Sequence, residues 1–447
     1  MKNRNIIILG AGESGAGAAV LARKKGYDVL VSDNNGIKEK YKNVLSQFDI
    51  EFEEGKHSLD KILQAAEVIK SPGIPEHAPV VVAAREAGIP VISEIEFASR
   101  FTRAKLICIT GSNGKTTTTL LTHHILHKAG LDVAVAGNVG KSFAMELASR
   151  DHDYFVLEIS SFQLDGMFDF KADIAILLNI TPDHLDRYGN SFQAYAESKF
   201  RILRNMRKED AFIFCLDDPV IRERVMREKP IPRMFPFTLN DLPDGNGAYI
   251  RDNKIIINIQ SKTDQMTLES LALQGKHNIY NSMAAAIGGR LLDLRKPHIQ
   301  DCLSDFQNIE HRLEHVTSIH GVEFINDSKA TNVNSSWYAL ESMKNNVIWI
   351  AGGIDKGNDY GMLRELVSEK VKAIVCLGQD NEKLKEAFSD IVENIVETKS
   401  MDVAVQSAVY LSGKGDTILL SPACASFDLF ENYEDRGNQF KAAVNNL

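Results

Sequence analysis

A chain of 447 residues is longer than one hydrophobic core can organise, and the usual domain size points to about three domains. With 44% hydrophobic and 25% charged residues it reads as a soluble globular protein, not a disordered or fibrous one. Its net charge of −9 argues against general nucleic-acid binding, which relies on Lys and Arg to neutralise phosphates, so any anionic ligand must be held by a local site.

The five cysteines, Cys108, Cys215, Cys302, Cys376 and Cys424, are odd in number and form no C-x-x-C pair, as expected of reduced thiols. The opening "MKNRNIIILG" has a basic start, but its apolar run is far shorter than a signal-peptide core, and no later run reaches membrane-spanning length. A cytoplasmic protein without membrane attachment is expected.

In chain order, "NIIIL", a turn with Gly10, Gly12 and Gly15, a helix through "AGAAVLARKKG" and then "DVLVSD" form a β-α-β unit matching the dinucleotide fingerprint. Asp33 stands at the tip of the second strand, where a ribose-binding carboxylate is expected. "AEVIKSPGIP" adds a strand and a turn at Ser71, and a first domain of residues 1–93 ends near Ser93. By itself this fingerprint also fits an NAD-dependent dehydrogenase.

The next strand, "AKLICIT", runs into "GSNGKTTTT", with Gly111, Ser112, Asn113, Gly114, Lys115, Thr116 and Thr117 before a helix. Strand, glycine turn, Gly-Lys-Thr and helix make a phosphate cradle. Backbone N–H groups face the oxygens, Lys115 meets the β/γ-phosphates and Thr116 serves Mg²⁺. The loop is short, since Ile109 stands where the common pattern has its first glycine. A dehydrogenase has no use for such a loop.

Strands are expected at "DVAVAG", "YFVLEIS" and "ADIAILLNI", the last two apolar on both faces as in a parallel sheet. Glu158 closes one and His184 follows another, at the strand ends where ligands bind in open α/β sheets; both are candidate Mg²⁺ ligands. "FQAYAESKFRILRNM" places Lys199 inside a helix, "GAYIRDNKIIINI" looks like an antiparallel addition, and "GKHNIYNSMAAAIGGRLL" is a helix closing a central domain of residues 94–307. His123 and His127, four apart, read as a solvated helix face. From residue 308 to 447 the strands "GVEFINDS", "NVIWIAGG", "AIVCLG" and "DTILLSPA" alternate with helical segments as a third α/β domain, with a hinge expected near Asn308 to His311. "HRLEH" matches an H-x-x-E-H zinc pattern, but it runs straight into a strand, which disfavours zinc.

Together "TGSNGKTTTT", "GNVG", "LEISSFQLD", "NITPDHLDRYG", "KHNIYNSMAA", "HRLEHV", "NDSKATN", "AGGIDKG" and "SPACASFDLFENYEDRGNQF" resemble the Mur ligases of bacterial cell-wall synthesis, across the chain and in that family's order. The resemblance implies an α/β protein of three domains: a Rossmann-like N-terminal domain, a central P-loop ATPase-type domain with a mostly parallel sheet, and a Rossmann-like C-terminal domain. It implies an ATP-dependent ligase that activates a UDP-linked carboxylate as an acyl phosphate and joins an amino acid to it. "NDSKATN" and the C-terminal run favour D-glutamate as the incoming amino acid and UDP-N-acetylmuramoyl-L-alanine as the acceptor. L-alanine addition is the alternative.

The site residues follow from the same resemblance. Lys115, Thr116 and Thr117 resemble the phosphate grip. Thr116, Glu158, His184 and a carbamylated Lys199 resemble the ligands of Mg²⁺, with two ions expected, and Lys115, Glu158, His184 and Lys199 make up the catalytic set. Asn278, Arg312 and Asp327 look like nucleotide contacts. Asn138 looks like a muramoyl contact, Thr331, Lys356, Ser426 and Tyr433 like the D-glutamate pocket, and Ser14, Asp33 and Ser71 like the uridine-diphosphate site. The family often has phenylalanine where Tyr433 stands, and "SDNNG" lacks an arginine that some relatives carry after Asp33. A monomer is expected.

Overall fold

The computed structural model describes residues 5–242, 245–259, 262–273, 275–306 and 310–447. By packing, the chain divides into two units, Met1–Phe306 and Gln307–Leu447. The expected hinge residue Asn308 lies outside the described residues.

The first unit carries two sheets. One is fully parallel, with strands in the order Glu51–Glu54, Asp28–Asp33, Asn5–Leu9, Glu67–Lys70 and Val91–Ile92. "NIIIL" forms its centre because residues 6–9 are buried on both faces. Gly15 lies so close to the Gly10 carbonyl that any side chain would overlap it, which is why the turn between strand and helix Glu13–Lys24 needs glycine.

The second sheet has nine strands. Val133–Gly137, Tyr154–Glu158, Lys105–Thr110, Ile174–Leu177, Ala211–Cys215, Arg233–Phe237 and Gly247–Arg251 run parallel, and Lys254–Ile259 and Lys262–Thr267 then extend the edge antiparallel. The helices Lys115–Lys128 and Lys276–Leu291 pack against each other beside it.

The two sheets of this unit are joined by helix Glu13–Lys24 packing on helix Phe143–Ser149, and by the short helix Glu94–Ser99. Glu96, on that short helix, is fully buried, and its carboxylate accepts the backbone N–H groups of Phe168 (3.0 Å), Asp169 (3.2 Å) and Phe170 (3.0 Å). Three backbone donors converge on one buried carboxylate, so Glu96→Ala removes the partner of all of them, the buried Phe170 N–H included. We expect it to cost about 3 kcal/mol or more of unfolding free energy, read by urea denaturation. A loss within about 0.5 kcal/mol, the range of ordinary surface substitutions, would contradict this.

The second unit holds a six-stranded sheet in the order Glu314–Ile319, Val322–Asn326, Thr417–Leu420, Val347–Ala351, Val371–Leu377 and Asn394–Thr398, antiparallel only at its first pair. Trp349, fully buried in the central strand, donates through its indole N–H to the Ser421 carbonyl at 2.7 Å. Apolar clusters cover both faces, one around Trp349, Leu363 and Phe388 and the other around Phe324, Ile350 and Phe440. Among the described residues, no helix is long and apolar enough to cross a membrane.

Candidate active site

The phosphate loop forms because Gly111 (φ 155°) and Gly114 (φ 81°) adopt backbone angles that other residues avoid. Gly114 caps helix Lys115–Lys128, and a side chain there would overlap the Asn281 amide. Ser112 is pinned in place: its N–H donates to the Asn179 carbonyl (2.9 Å), its hydroxyl donates to the Thr181 carbonyl (2.8 Å) and accepts from the Thr181 N–H (2.9 Å). The Asn113 N–H donates to the Asn179 side chain at 2.8 Å. Lys115 folds back over the loop, donating to the Gly111 and Ser112 carbonyls at 2.8 and 2.7 Å. Thr116 and Thr117 are buried in the first helical turn.

Lys199 sits under the same loop. Helix Phe192–Phe200 carries it into the interior, where it is 2% exposed, and its Nζ donates to the Gly111 carbonyl at 2.8 Å. Burial holds this amine well below the ordinary lysine value, and the Lys115 cation adds to the effect. Glu158, also 2% exposed, ends the neighbouring strand, and its Oε1 accepts from the Asn138 Nδ2 at 2.7 Å. Gly137 (φ 102°) lets the chain turn tightly there, and the Asn138 N–H closes it on the Glu158 carbonyl at 2.9 Å.

His184 begins a short 3₁₀ turn in the left-handed region (φ 53°), with its ring edge-on to Phe162 at 5.2 Å between centroids. Asn278 lies in the first turn of helix Lys276–Leu291 and accepts from Asn281, which in turn accepts from Thr118 in the phosphate helix. Among the described residues, no three His, Cys, Asp and Glu side chains gather as a metal-ligand set.

A separate cavity of about 950 Å³ lies over the carboxyl edge of the first sheet. Ser14, Asp33 and Ser71 all line it, with Gly10, Gly12 and His57. Asp33 is committed locally: Oδ2 accepts from the Ala11 N–H (2.8 Å) and Oδ1 from the Asn35 N–H (2.9 Å), so its carboxylate braces the glycine turn.

In the second unit, Asp327, Thr331, Lys356 and Ser426 stand on loops after the carboxyl ends of three adjacent parallel strands. Asp327 is buried, accepts from the Ser421 hydroxyl at 2.9 Å and from the Leu313 N–H at 3.3 Å, and is pushed up to about 7 by burial. Arg312 is near enough for its charge to oppose that rise. Lys356 is half-buried and makes no hydrogen bond or ion pair with the described residues. Tyr433 opens the helix Tyr433–Asn445, and its hydroxyl accepts from Lys329 Nζ at 2.9 Å.

Lys329 was not singled out in the sequence. Its signal was available, a lysine one residue before Ala330-Thr331 in the loop after a strand. Arg436, 1% exposed, was missed too; it donates to the Ser328 hydroxyl and carbonyl and to the Cys424 carbonyl, tying this loop to the C-terminal helix.

Of the two histidines of the zinc pattern, the first serves packing and the second is exposed. His311 is buried against Gly437 and within 2.9 Å of the Asn326 amide, while His315 lies in the strand Glu314–Ile319. His123 and His127 stack at 5.5 Å, but His123 is half-buried rather than on the fully solvated face expected, because its helix rests on the strand Val133–Gly137.

Three family models cover most of the chain: a Mur ligase MurD-like N-terminal domain over residues 4–93, a Mur ligase middle domain over 109–288, and a Mur ligase glutamate ligase domain over 311–424. A protein of Bacteroides fragilis named UDP-N-acetylmuramoylalanine–D-glutamate ligase is 54% identical over 445 residues, 99% of this chain and 100% of its own length. A protein of that name from Christiangramia forsetii is 54% identical over 444 residues, again 99% and 100%. Among solved structures, the UDP-N-acetylmuramate-alanine ligase of Thermotoga maritima shares the fold, with a TM-score of 0.63 at 18% identity over 99% of both chains. The chain belongs to the Mur ligase family. It is an ATP-dependent ligase of peptidoglycan-precursor synthesis, an α/β protein built on the family's three domains.

Proposed function

We propose that this protein joins the amine of D-glutamate to the alanyl carboxylate of UDP-N-acetylmuramoyl-L-alanine, converting ATP to ADP and phosphate. The near-full-length identity with relatives of that name is the observation that carries this reading. The domains are assigned as residues 1–93 for the UDP-linked substrate, 94–307 for ATP and 308–447 for the amino acid, acting in the cytoplasm.

A carboxylate resists attack by an amine because oxide is a poor leaving group. Transfer of the γ-phosphoryl group to the carboxylate gives an acyl phosphate, and the amine then expels phosphate from a tetrahedral intermediate. The backbone N–H groups of residues 111–117 cradle the phosphates, and Lys115, released from its loop carbonyls, meets their charge. Thr117 completes the phosphate grip, and Asn278, Arg312 and Asp327 hold the nucleoside. Asn138, braced on Glu158, orients the muramoyl carboxylate.

Thr116, Glu158, His184 and a carbamylated Lys199 are the groups that would hold Mg²⁺, as two ions. Hard oxygens around a phosphate loop suit this metal, and a carbamate on Lys199 would replace a cation by an oxygen anion. When bound, Mg²⁺ supplies neutralisation of the phosphate charge. Carbamylation needs a neutral amine, and the buried position of Lys199 favours that form.

Lys356, with Thr331, Ser426 and Tyr433, binds the carboxylates of D-glutamate, and Ser14, Asp33 and Ser71 hold the uridine diphosphate. Lys356→Ala is expected to raise the KM for D-glutamate by about tenfold or more, the effect of losing one charged hydrogen bond, with the ATP affinity unchanged. Turnover with L-alanine or L-lysine at a rate comparable to D-glutamate would contradict the assignment.

A further inference from the structure

The cavity over the first sheet has a direction. Strand order places the glycine turn (Gly10, Gly12, Ser14) and Ser71 at its centre, Asp33 after the next strand, and His57 after the outermost strand, Glu51–Glu54. A nucleotide whose diphosphate rests on the glycine turn extends its base outward along that sequence of strand ends. The base end is therefore lined by Asn34, Asn35, His57 and Leu59. Leu59 is 44% exposed, an apolar surface for a flat ring.

Hydrogen bonding fixes which atom His57 offers. Its Nδ1 lies 2.7 Å from the Ser32 hydroxyl, which is itself 2.7 Å from Glu53 Oε1 and 3.4 Å from the Lys56 carbonyl. A carboxylate and a carbonyl can only accept, so the single hydroxyl proton of Ser32 goes to one of them, and Ser32 must accept from His57 Nδ1–H. Glu53 is ionised for this role: burial opposes it, but bonds from the Ser58 N–H and hydroxyl and from Ser32 hold its carboxyl below the usual range. Burial also disfavours the imidazolium, despite the Asp33 and Glu53 charges. The remaining nitrogen, Nε2, is then a lone-pair acceptor, and no partner for it exists among the described residues.

We propose that His57 selects the base of the substrate's nucleotide: Nε2 accepts the N3–H of uracil, so the site takes uridine diphosphate and rejects the cytidine nucleotide. Cytosine carries a lone pair at N3, and two acceptors facing each other repel. This rests on the reading of the cavity as the site of the UDP-linked substrate.

The test uses the full chain and calorimetric binding of UDP, CDP and N3-methyl-UDP. The wild type should bind UDP about tenfold or more tightly than either of the others, since each leaves Nε2 unsatisfied. His57→Phe keeps the ring and removes the lone pair; it should bring all three within about twofold. His57→Gln, whose amide carbonyl accepts, should keep part of the preference for UDP over CDP. Equal wild-type binding of UDP and N3-methyl-UDP, a result that needs no variant, would overturn the assignment, as would an undiminished UDP preference in His57→Phe. Failure of UDP to bind at all would overturn the substrate reading as well, whereas binding without discrimination overturns the role of His57 alone.

Discussion

Lys199→Arg is expected to fold and to lose about a thousandfold or more of the wild-type turnover, in the range seen when one preorganised electrostatic group is removed from a phosphoryl-transfer site. Arginine keeps the positive charge but stays protonated, so it cannot react with CO₂ to become an anionic ligand. It is also bulkier, in a place where Lys199 is 2% exposed. Lys199→Met therefore serves as the companion variant, similar in length and free of charge.

Lys199→Met should be equally inactive, yet its melting temperature should match or exceed that of the wild type. An amine whose affinity for protons is depressed by burial costs stability wherever the unfolded chain would hold that proton. This cost applies at neutral pH and fades as the pH rises towards the ordinary lysine value. A carbon-13 carbamate resonance from labelled bicarbonate should appear in the wild type and be missing from both variants. If Lys199→Arg keeps most of the wild-type rate, the lysine is structural and the metal model is wrong.

Lys115→Ala should lose a comparable factor, about a thousandfold in kcat, with a smaller change in the KM for D-glutamate. The argument is one of position. Lys115 is the first residue of the phosphate helix, and its ammonium lies within 2.7–2.8 Å of two carbonyls of the loop that it must leave to meet a phosphate. Removing it also removes the like charge that disfavours the Lys199 cation, but burial, the larger cause of the depressed proton affinity, remains, so carbamylation of Lys199 should survive in this variant. Loss of the carbamate signal together with activity would mean that Lys115 acts through Lys199 and not on the phosphates.

Much of the fold was legible because it is written in local pattern. The runs "NIIIL", "YFVLE" and "ADIAILL" are apolar on both faces, and each became a buried parallel strand. Two of the strands that escaped notice lack that signature. Glu51–Glu54 reads "EFEE" and lies at a sheet edge, and Val91–Ile92 has only two residues. Ala211–Cys215, wholly apolar, could have been read by the same rule.

At the site, Gly114, Lys115 and Glu158 were singled out from motif and strand position and Lys199 from the family resemblance, and the structure gathers them around one loop. The bonds that Glu96, Lys329 and His57 make were invisible because their partners lie far away in sequence. Glu96 is bonded to residues 72–74 places on, Lys329 to Tyr433 104 places on, and His57 to Ser32 25 places back. No local pattern announces such pairings.

The central claim, that ATP activates the alanyl carboxylate as an acyl phosphate, is tested most directly by isotope transfer. UDP-N-acetylmuramoyl-L-alanine labelled with oxygen-18 in both carboxylate oxygens is converted with ATP and D-glutamate, and the released phosphate is analysed by mass spectrometry. One carboxylate oxygen attacks the γ-phosphorus and leaves with phosphate when the amine attacks, so each phosphate should carry one labelled oxygen. Phosphate released without label, while the amide product still forms, would contradict the account.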